Sequence, residues 1–203
     1  KIEIFFCLTS ILLAVSFLIY GNIRLNDQNL TTKKENEFTI KIVSSKIDIN
    51  RFYSPDNEQQ ILEELISLSN PNPDKSTLFI WPEGMLTSTN LNELKRYKNL
   101  FTKNFSEKHL IILGINNKIL NNIDKKIYNS LVVIDKNLNL KDIYYKNKLV
   151  PFGEFLPLEK FLGLLGLRSI TYGYQSFSSG KIRDVIKIKD EYFDLSFLPL
   201  ICY

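Results

Sequence analysis

Cysteine and histidine are scarce in this chain of 203 residues, which has two cysteines and one histidine. Cys7 lies in an apolar stretch and Cys202 lies near the opposite end, which argues against a disulfide framework. One histidine without a cysteine cluster argues against a zinc site, and we predict no metal and no cofactor. His109 directly precedes an apolar run, so we expect it to begin a strand and to take no part in catalysis.

The chain also lacks a clustered basic surface and internal repeats. Its formal net charge is +4, from 26 lysines and arginines against 22 acidic residues, but the lysines are scattered and no nucleic-acid motif is present. We therefore predict no nucleic-acid partner. The hydrophobic fraction of 44% is enough for the core of one domain.

A long apolar run opens the chain. The segment Ile4 to Tyr20 has no charged residue and no proline, and as a helix it would cover about 25 Å, close to the thickness of a bilayer core. We predict a transmembrane helix over residues 1–22 and a polar linker over residues 23–37. A cleaved signal peptide and a buried soluble helix are the alternatives. The first residue is not methionine, so we expect further sequence before it.

The remainder, residues 38–203, predicts a layered α/β domain. Helices and strands alternate early and hairpins follow, a pattern typical of helices packed on a sheet. Predicted strands cover residues 38–43, 77–81, 110–115, 128–135, 140–145, 182–188 and 193–202. The first predicted helix begins at Ser54-Pro55-Asp56, and its apolar face comprises Ile61, Leu62, Leu65, Ile66 and Leu68. A second predicted helix covers residues 91–101, with Asn90 as its cap. The third covers residues 158–167 and forms either a core helix or an apolar arm that enters the membrane interface.

Two charged side chains stand at the ends of predicted strands. Glu83 follows the strand that Pro82 ends, and burial beside Trp81 would suit its carboxylate to general-base work. Lys146 follows another strand and is suited to hold an oxyanion.

Cys202 ends the last predicted strand. A neighbouring ammonium favours its thiolate, and a neighbouring carboxylate can take its proton. Taken singly, the three residues have ordinary explanations: a turn glutamate, a solvated lysine and a small buried cysteine. Their order and sequence contexts together predict a site that forms an acyl-enzyme.

Four stretches of the chain resemble the nitrilase, or carbon–nitrogen hydrolase, superfamily, and within it the apolipoprotein N-acyltransferases. The resemblance implies an incomplete nitrilase-like α/β sandwich with Glu83 as general base, Lys146 as oxyanion holder and Cys202 as nucleophile, supported by Glu154 and Tyr203. Residues 42–47 lack the Gln-Gly-Asn pattern of the family, and the chain stops one residue after Cys202, so we expect a truncated fragment that is inactive alone. The stretches are Trp81-Pro82-Glu83, Tyr128-Asn129-Ser130, Lys146 through Pro157, and Ile201-Cys202-Tyr203.

The activity implied by this resemblance is acyl transfer between lipids. A phospholipid would donate a fatty acyl chain to Cys202, and the N-terminal amine of a diacylglyceryl-cysteine apolipoprotein would accept it from the thioester. The protein would work as a monomer in the bacterial inner membrane, with the catalytic domain on the periplasmic side. Two alternatives stay open: a membrane-tethered amidase or nitrilase in which water resolves the thioester, and a non-catalytic remnant that binds lipid or a partner.

Overall fold

A computed structural model describes residues 2–29, 38–45, 58–120, 125–155, 157 and 176–201 of the chain. The chain divides into two units, residues 1–36 and 37–203. The first contains helix α1 (Ile2–Asn29). Its segment Glu3–Leu25, with a mean hydropathy of 2.3, is long and apolar enough to cross a membrane, and none of it is buried.

Helix α1 is longer than the predicted span. It continues to Asn29, so the first residues of the predicted linker are helical. Residues 22–29 are polar but contain no proline, so nothing in them stops the helix. A signal sequence meets the same length and composition criteria as a membrane span, so the choice between these two interpretations stays open.

The second unit is built on a sheet whose five strands lie side by side in chain order. Its first three strands are parallel, and strands three to five are antiparallel. The five strands are β1 (Thr39–Ile42), β2 (Thr77–Ile80), β3 (His109–Leu120), β4 (Lys125–Ile134) and β5 (Leu140–Tyr145), and a separate antiparallel pair comprises β6 (Ile186–Lys189) and β7 (Asp194–Phe197). The helices among the described residues of this unit are α2 (Glu58–Ser69), a 3-10 helix (Glu93–Tyr97) and α3 (Lys98–Asn104).

Apolar side chains cover both faces of the five-stranded sheet. Because successive strand residues point to opposite faces, Phe79 and Ile111 lie on one face and Leu78 and Leu110 on the other. The first face belongs to a core cluster with α2 and α3, and the second to a cluster with β6, β7 and Ile201. This arrangement confirms the predicted layered α/β fold.

Several predicted elements differ in extent from the observed ones. The strand predicted over residues 182–188 is β6, Ile186–Lys189, because its pairing with β7 begins only at Ile186. Strand β4 begins at Lys125, three residues before the predicted start. Strand β3 continues past residue 115 to Leu120, because pairing with β4 supplies a ladder for the polar residues that follow the apolar run. The predicted helix over residues 91–101 is a 3-10 helix followed by α3. Leu68 is 44% exposed, contrary to prediction, because it lies at the edge of the apolar stripe near the end of α2.

The last predicted strand is also too long. Strand β7 ends at Phe197, and residues 198–201 belong to no strand. Pro199 lies in that stretch and has no backbone N–H for a ladder. The predicted helix start at Ser54-Pro55-Asp56 and the predicted helix over residues 158–167 lie outside the described residues.

Candidate active site

Glu83 lies just beyond the carboxyl end of β2. The backbone N–H of Trp81 donates to the carbonyl of Ile112 at 2.9 Å, which extends the pairing with β3 as far as the loop. Pro82 then ends the strand, and Gly84, with φ of 70°, turns the chain. Trp81 is buried, but Glu83 is exposed, so the predicted burial of Glu83 is wrong: the turn directs the carboxylate outwards while the indole enters the core.

Lys146 follows β5 and is one of the few buried charged residues. Its backbone N–H donates to the carbonyl of Asn129 at 2.9 Å, which continues the β4–β5 pairing. Its side chain is 5% exposed, and Nζ lies 3.0 Å from each carboxylate oxygen of Glu154. Lys148, two residues further along and outside any strand, is exposed.

Glu154 lies in the turn after Lys146. Its Oε2 accepts a hydrogen bond from the Val150 N–H at 2.9 Å, and its own N–H donates to the Val150 carbonyl at 2.8 Å. Burial alone would raise the pKa of Glu154. The hydrogen bonds from Val150 and Asn129 and the ammonium of Lys146 outweigh burial and hold that pKa below its ordinary value. Glu154 is therefore a carboxylate at neutral pH.

Asn129 joins the two glutamates. Its Nδ2 donates to Oε1 of Glu83 and to Oε1 of Glu154, both at 3.1 Å. Glu83, Asn129, Glu154 and Lys146 thus form one continuous hydrogen-bonded network. The sequence marked Asn129 only as part of a family-like stretch and missed this bridging position. The predicted hairpin was the available signal, because its register places Asn129 beside Lys146.

A cavity of about 180 Å³ lies beside Glu83. Leu86, Ile115 and Phe177 give it apolar walls, and Asn116 and Asn129 add polar ones. Gly114 lets β3 approach Glu83 closely, since a Cβ there would lie 3.1 Å from Cγ of Glu83 and 3.2 Å from its Cα. Asn129 holds Oε1 of Glu83, and the exposed carboxylate is placed to accept a proton from a group that enters the cavity.

The two remaining predicted site residues, Cys202 and Tyr203, lie outside the described residues. The preceding residue, Ile201, is 5% exposed and belongs to the cluster on the β6–β7 face. The meeting of the Cys202 sulfur with Glu83 and Lys146 therefore stays a prediction.

His109 begins β3, as predicted. Its ring is 1% exposed, Nδ1 accepts a hydrogen bond from the Ser106 N–H at 3.0 Å, and Nε2 lies 2.9 Å from the carbonyl of Asn72. This pairing fits the neutral ring with its proton on Nε2. Burial lowers the pKa of His109, more than the hydrogen bonds to backbone raise it. In the described part of the chain, no three His, Cys, Asp or Glu side chains are grouped so as to hold a metal ion.

Several curated proteins named apolipoprotein N-acyltransferase are similar to this chain. The apolipoprotein N-acyltransferase of Caulobacter vibrioides is 30% identical over 173 residues, which are 81% of this chain and 32% of that protein. Those of Rickettsia prowazekii and Borreliella burgdorferi are each 28% identical over 96% of this chain and 37% of their own length. The chain thus spans about a third of the length of these relatives. No family model matches the chain.

Similar solved structures include a mutant of an amidase from the nitrilase superfamily, from Nesterenkonia AN1, and a glutamine-dependent NAD+ synthetase from Acinetobacter baumannii. The amidase is 11% identical with a TM-score of 0.46, over 78% of this chain and 54% of its own. The synthetase is 19% identical with a TM-score of 0.48, over 80% of this chain and 27% of its own. Because both TM-scores lie below 0.5, the relationship rests on the sequence matches. Those matches identify the chain as a homologue of the apolipoprotein N-acyltransferases over about a third of their length.

Proposed function

We propose that this chain carries the site of a lipid-to-protein acyl transfer, from a phospholipid through a thioester on Cys202 to the N-terminal amine of a diacylglyceryl-cysteine apolipoprotein. The names of its sequence relatives supply the acceptor class. The observation that carries the proposal is the network in which Asn129 and Glu154 link the exposed carboxylate of Glu83 to the buried ammonium of Lys146.

In the first step, the Cys202 sulfur attacks the ester carbonyl of the phospholipid and Glu83 takes the thiol proton. The ammonium of Lys146 stabilises the negative oxygen of the tetrahedral intermediate. The bond between the carbonyl carbon and the alcohol oxygen then breaks, and Glu83 returns the proton to that oxygen. A lysophospholipid leaves, and the acyl group remains on sulfur as a thioester.

In the second step, the amine of the apolipoprotein attacks the thioester carbonyl. Glu83 takes a proton from the attacking nitrogen, and Lys146 again stabilises the oxyanion. The carbon–sulfur bond breaks, the sulfur regains the proton from Glu83, and an amide is formed. A thioester suits this sequence because an amine displaces a thiolate readily.

The surroundings of Lys146 support its role in both steps. A charged group fixed in advance in a poorly hydrated place interacts more strongly with a developing charge than the same group does in water. Glu154 holds Nζ with both of its oxygens, and its other partners, Asn129 and Val150, hold Glu154 in turn. The loss of one such oxyanion donor typically lowers the rate about 10² to 10³-fold.

Because the 203 residues are expected to be inactive alone, the proposal is tested on the chain extended to the length of its relatives. Acylation of Cys202 is followed in lipid nanodiscs by mass spectrometry. The Cys7→Ser variant serves as background, since it leaves one cysteine in the chain. We expect a hydroxylamine-sensitive gain of one acyl group, no gain in Cys202→Ala, and a rate about 100-fold lower in Lys146→Ala. Lys148→Ala is the matched control, because it removes an exposed lysine two residues away, and it should acylate normally.

The acceptor is tested on the loaded protein. Addition of a lipopeptide with a free diacylglyceryl-cysteine amine should discharge the thioester and yield the N-acyl peptide. Absence of any acylation of the unaltered chain would refute the proposal. Equal discharge with and without lipopeptide would favour the membrane-tethered hydrolase instead.

The proposal also includes a location, since both substrates are lipids. Helix α1 would anchor the domain in the bacterial inner membrane, with the domain on the periplasmic side. Protease added to intact spheroplasts should then degrade the domain, and degradation only after lysis would place it in the cytoplasm.

A further inference from the structure

One buried carboxylate lies outside the proposed catalytic set, at the start of α2. Glu58 is 4% exposed, and its side chain lies against the loop that follows β2. Oε1 accepts hydrogen bonds from the backbone N–H groups of Ser88 at 2.7 Å and Thr89 at 3.0 Å, and Oε2 accepts one from the Thr89 hydroxyl. A carboxylate is seldom buried so fully unless donors satisfy it, and here the loop supplies those donors.

The loop held by Glu58 is the one that carries Glu83. Both ends of this loop are hydrogen-bonded to β3. The N–H of Trp81 donates to the carbonyl of Ile112, and the N–H of Leu91 donates to the carbonyl of Asn116, each at 2.9 Å. Between these ends, Glu58 binds two consecutive N–H groups of the loop. The stretch from Glu83 to Thr87, which forms one wall of the 180 Å³ cavity, lies between the β2 end and this attachment.

A cation completes the attachment. Nη2 of Arg96 lies 3.6 Å from Oε2 of Glu58 and also donates a hydrogen bond to the Thr89 hydroxyl. The Arg96 side chain is 53% exposed, so it reaches the buried carboxylate from the surface. Hydrogen bonds to a charged acceptor are roughly twice as strong as neutral ones. The carboxylate of Glu58 therefore holds the N–H groups of Ser88 and Thr89 more firmly than an amide side chain at the same position would.

We propose that Glu58 is a positioning residue, which holds the loop after β2 so that the carboxylate of Glu83 stays at its place beside Asn129 and the cavity. The inference rests on the proposed function, because it assigns Glu58 an effect on acylation through Glu83. A displacement of about 1 Å in a reacting group can lower a rate about 100-fold, so a distant anchor of this kind can matter to the chemistry.

The first test compares Glu58→Ala, Glu58→Gln and the matched control Glu64→Ala, which removes an exposed glutamate of the same helix. In the full chain in nanodiscs, we expect Glu58→Ala to speed hydrogen exchange at Ser88 and Thr89 and to lower the Cys202 acylation rate about 10- to 100-fold. Glu58→Gln keeps an acceptor oxygen and should recover most of that rate. Glu64→Ala should match the unaltered chain.

The second test asks whether the effect passes through Glu83. In a Glu83→Gln background, Glu58→Ala or Glu58→Gln should lower the residual acylation rate no further, because the group that Glu58 positions is already removed. Losses that multiply would overturn the inference, since they indicate a general structural effect. If Glu58→Ala does not fold, which Trp81 fluorescence would reveal, Thr89→Val takes its place in the test, because it removes the hydroxyl that donates to Oε2 of Glu58.

The two proposals fail in different ways. Normal acylation in Glu58→Ala, with faster exchange at Ser88 and Thr89, would overturn the positioning role and leave the proposed function intact. Absence of acylation in the unaltered chain would overturn the proposed function and the catalytic effect of Glu58 with it.

Discussion

Removal of the Glu154 carboxylate should destabilise the domain because it leaves a buried ammonium without its partner. Lys146 is 4% exposed, and Glu154 contacts its Nζ with both oxygens at 3.0 Å. Breaking a buried ion pair by removing one partner costs about 3–5 kcal/mol. The Glu154 side chain is 14% exposed, so we take the lower end and expect Glu154→Ala to lower the free energy of unfolding by about 3 kcal/mol. That is a large share of the about 5–15 kcal/mol that stabilises a typical domain.

The assay uses the one tryptophan of the chain. Trp81 is buried in the core and its indole N–H donates to the Ser69 hydroxyl at 2.9 Å, so its fluorescence reports unfolding of the second unit during a urea titration. Asp194→Ala is the control, because it breaks an ion pair with Lys189 in which both side chains are largely exposed. That control should change stability far less.

A double variant separates the charge from the contact. Lys146→Met with Glu154→Gln removes both charges, and we expect it to recover most of the stability that Glu154→Ala loses, since no ion is left unpaired. It should not recover acylation of Cys202, because the proposed oxyanion donor is absent. A loss below about 1 kcal/mol in Glu154→Ala would refute the reasoning, since it would mean that the ammonium stays hydrated.

Three further predictions concern other parts of the molecule. Gly180→Ala should destabilise the second unit by about 1–3 kcal/mol in the same titration, because a Cβ would lie 2.2 Å from the carbonyl oxygen of Tyr145, and unchanged stability would contradict the close approach. Burial lowers the pKa of His109, the one histidine of the chain, below the ordinary 6.5. As the pH decreases from about 6.5, the unfolded chain therefore binds the proton before the folded chain does, and the free energy of unfolding should fall. His109→Gln should abolish that fall between pH 6.5 and 5. Leu13→Arg should cost about 3 kcal/mol in a membrane-insertion assay if α1 spans the bilayer, and unchanged insertion would count against a span.

The sequence by itself determined the layered α/β fold, the apolar first helix and the residue types of the site. Short apolar runs in β2 and β3, alternation over residues 38–43 and the spacing of apolar residues in α2 were sufficient, because these patterns follow from backbone geometry and burial. The ends of the strands were predicted less well. Strand β7 ends at Phe197, before the proline at position 199. Strand β3 continues to Leu120 because it pairs with β4, although the polar residues there do not by themselves indicate a strand.

Only the tertiary structure decided which side chains meet. Glu83, Asn129 and Glu154 are separated by 46 and 25 positions in the chain, yet one amide nitrogen contacts both carboxylates. The exposure of Glu83 and the attachment of its loop to Glu58 were equally invisible in the sequence, because each depends on how a turn after β2 packs against β3 and α2. Local patterns record the period of an element, whereas a contact between distant segments depends on the packing of the whole domain.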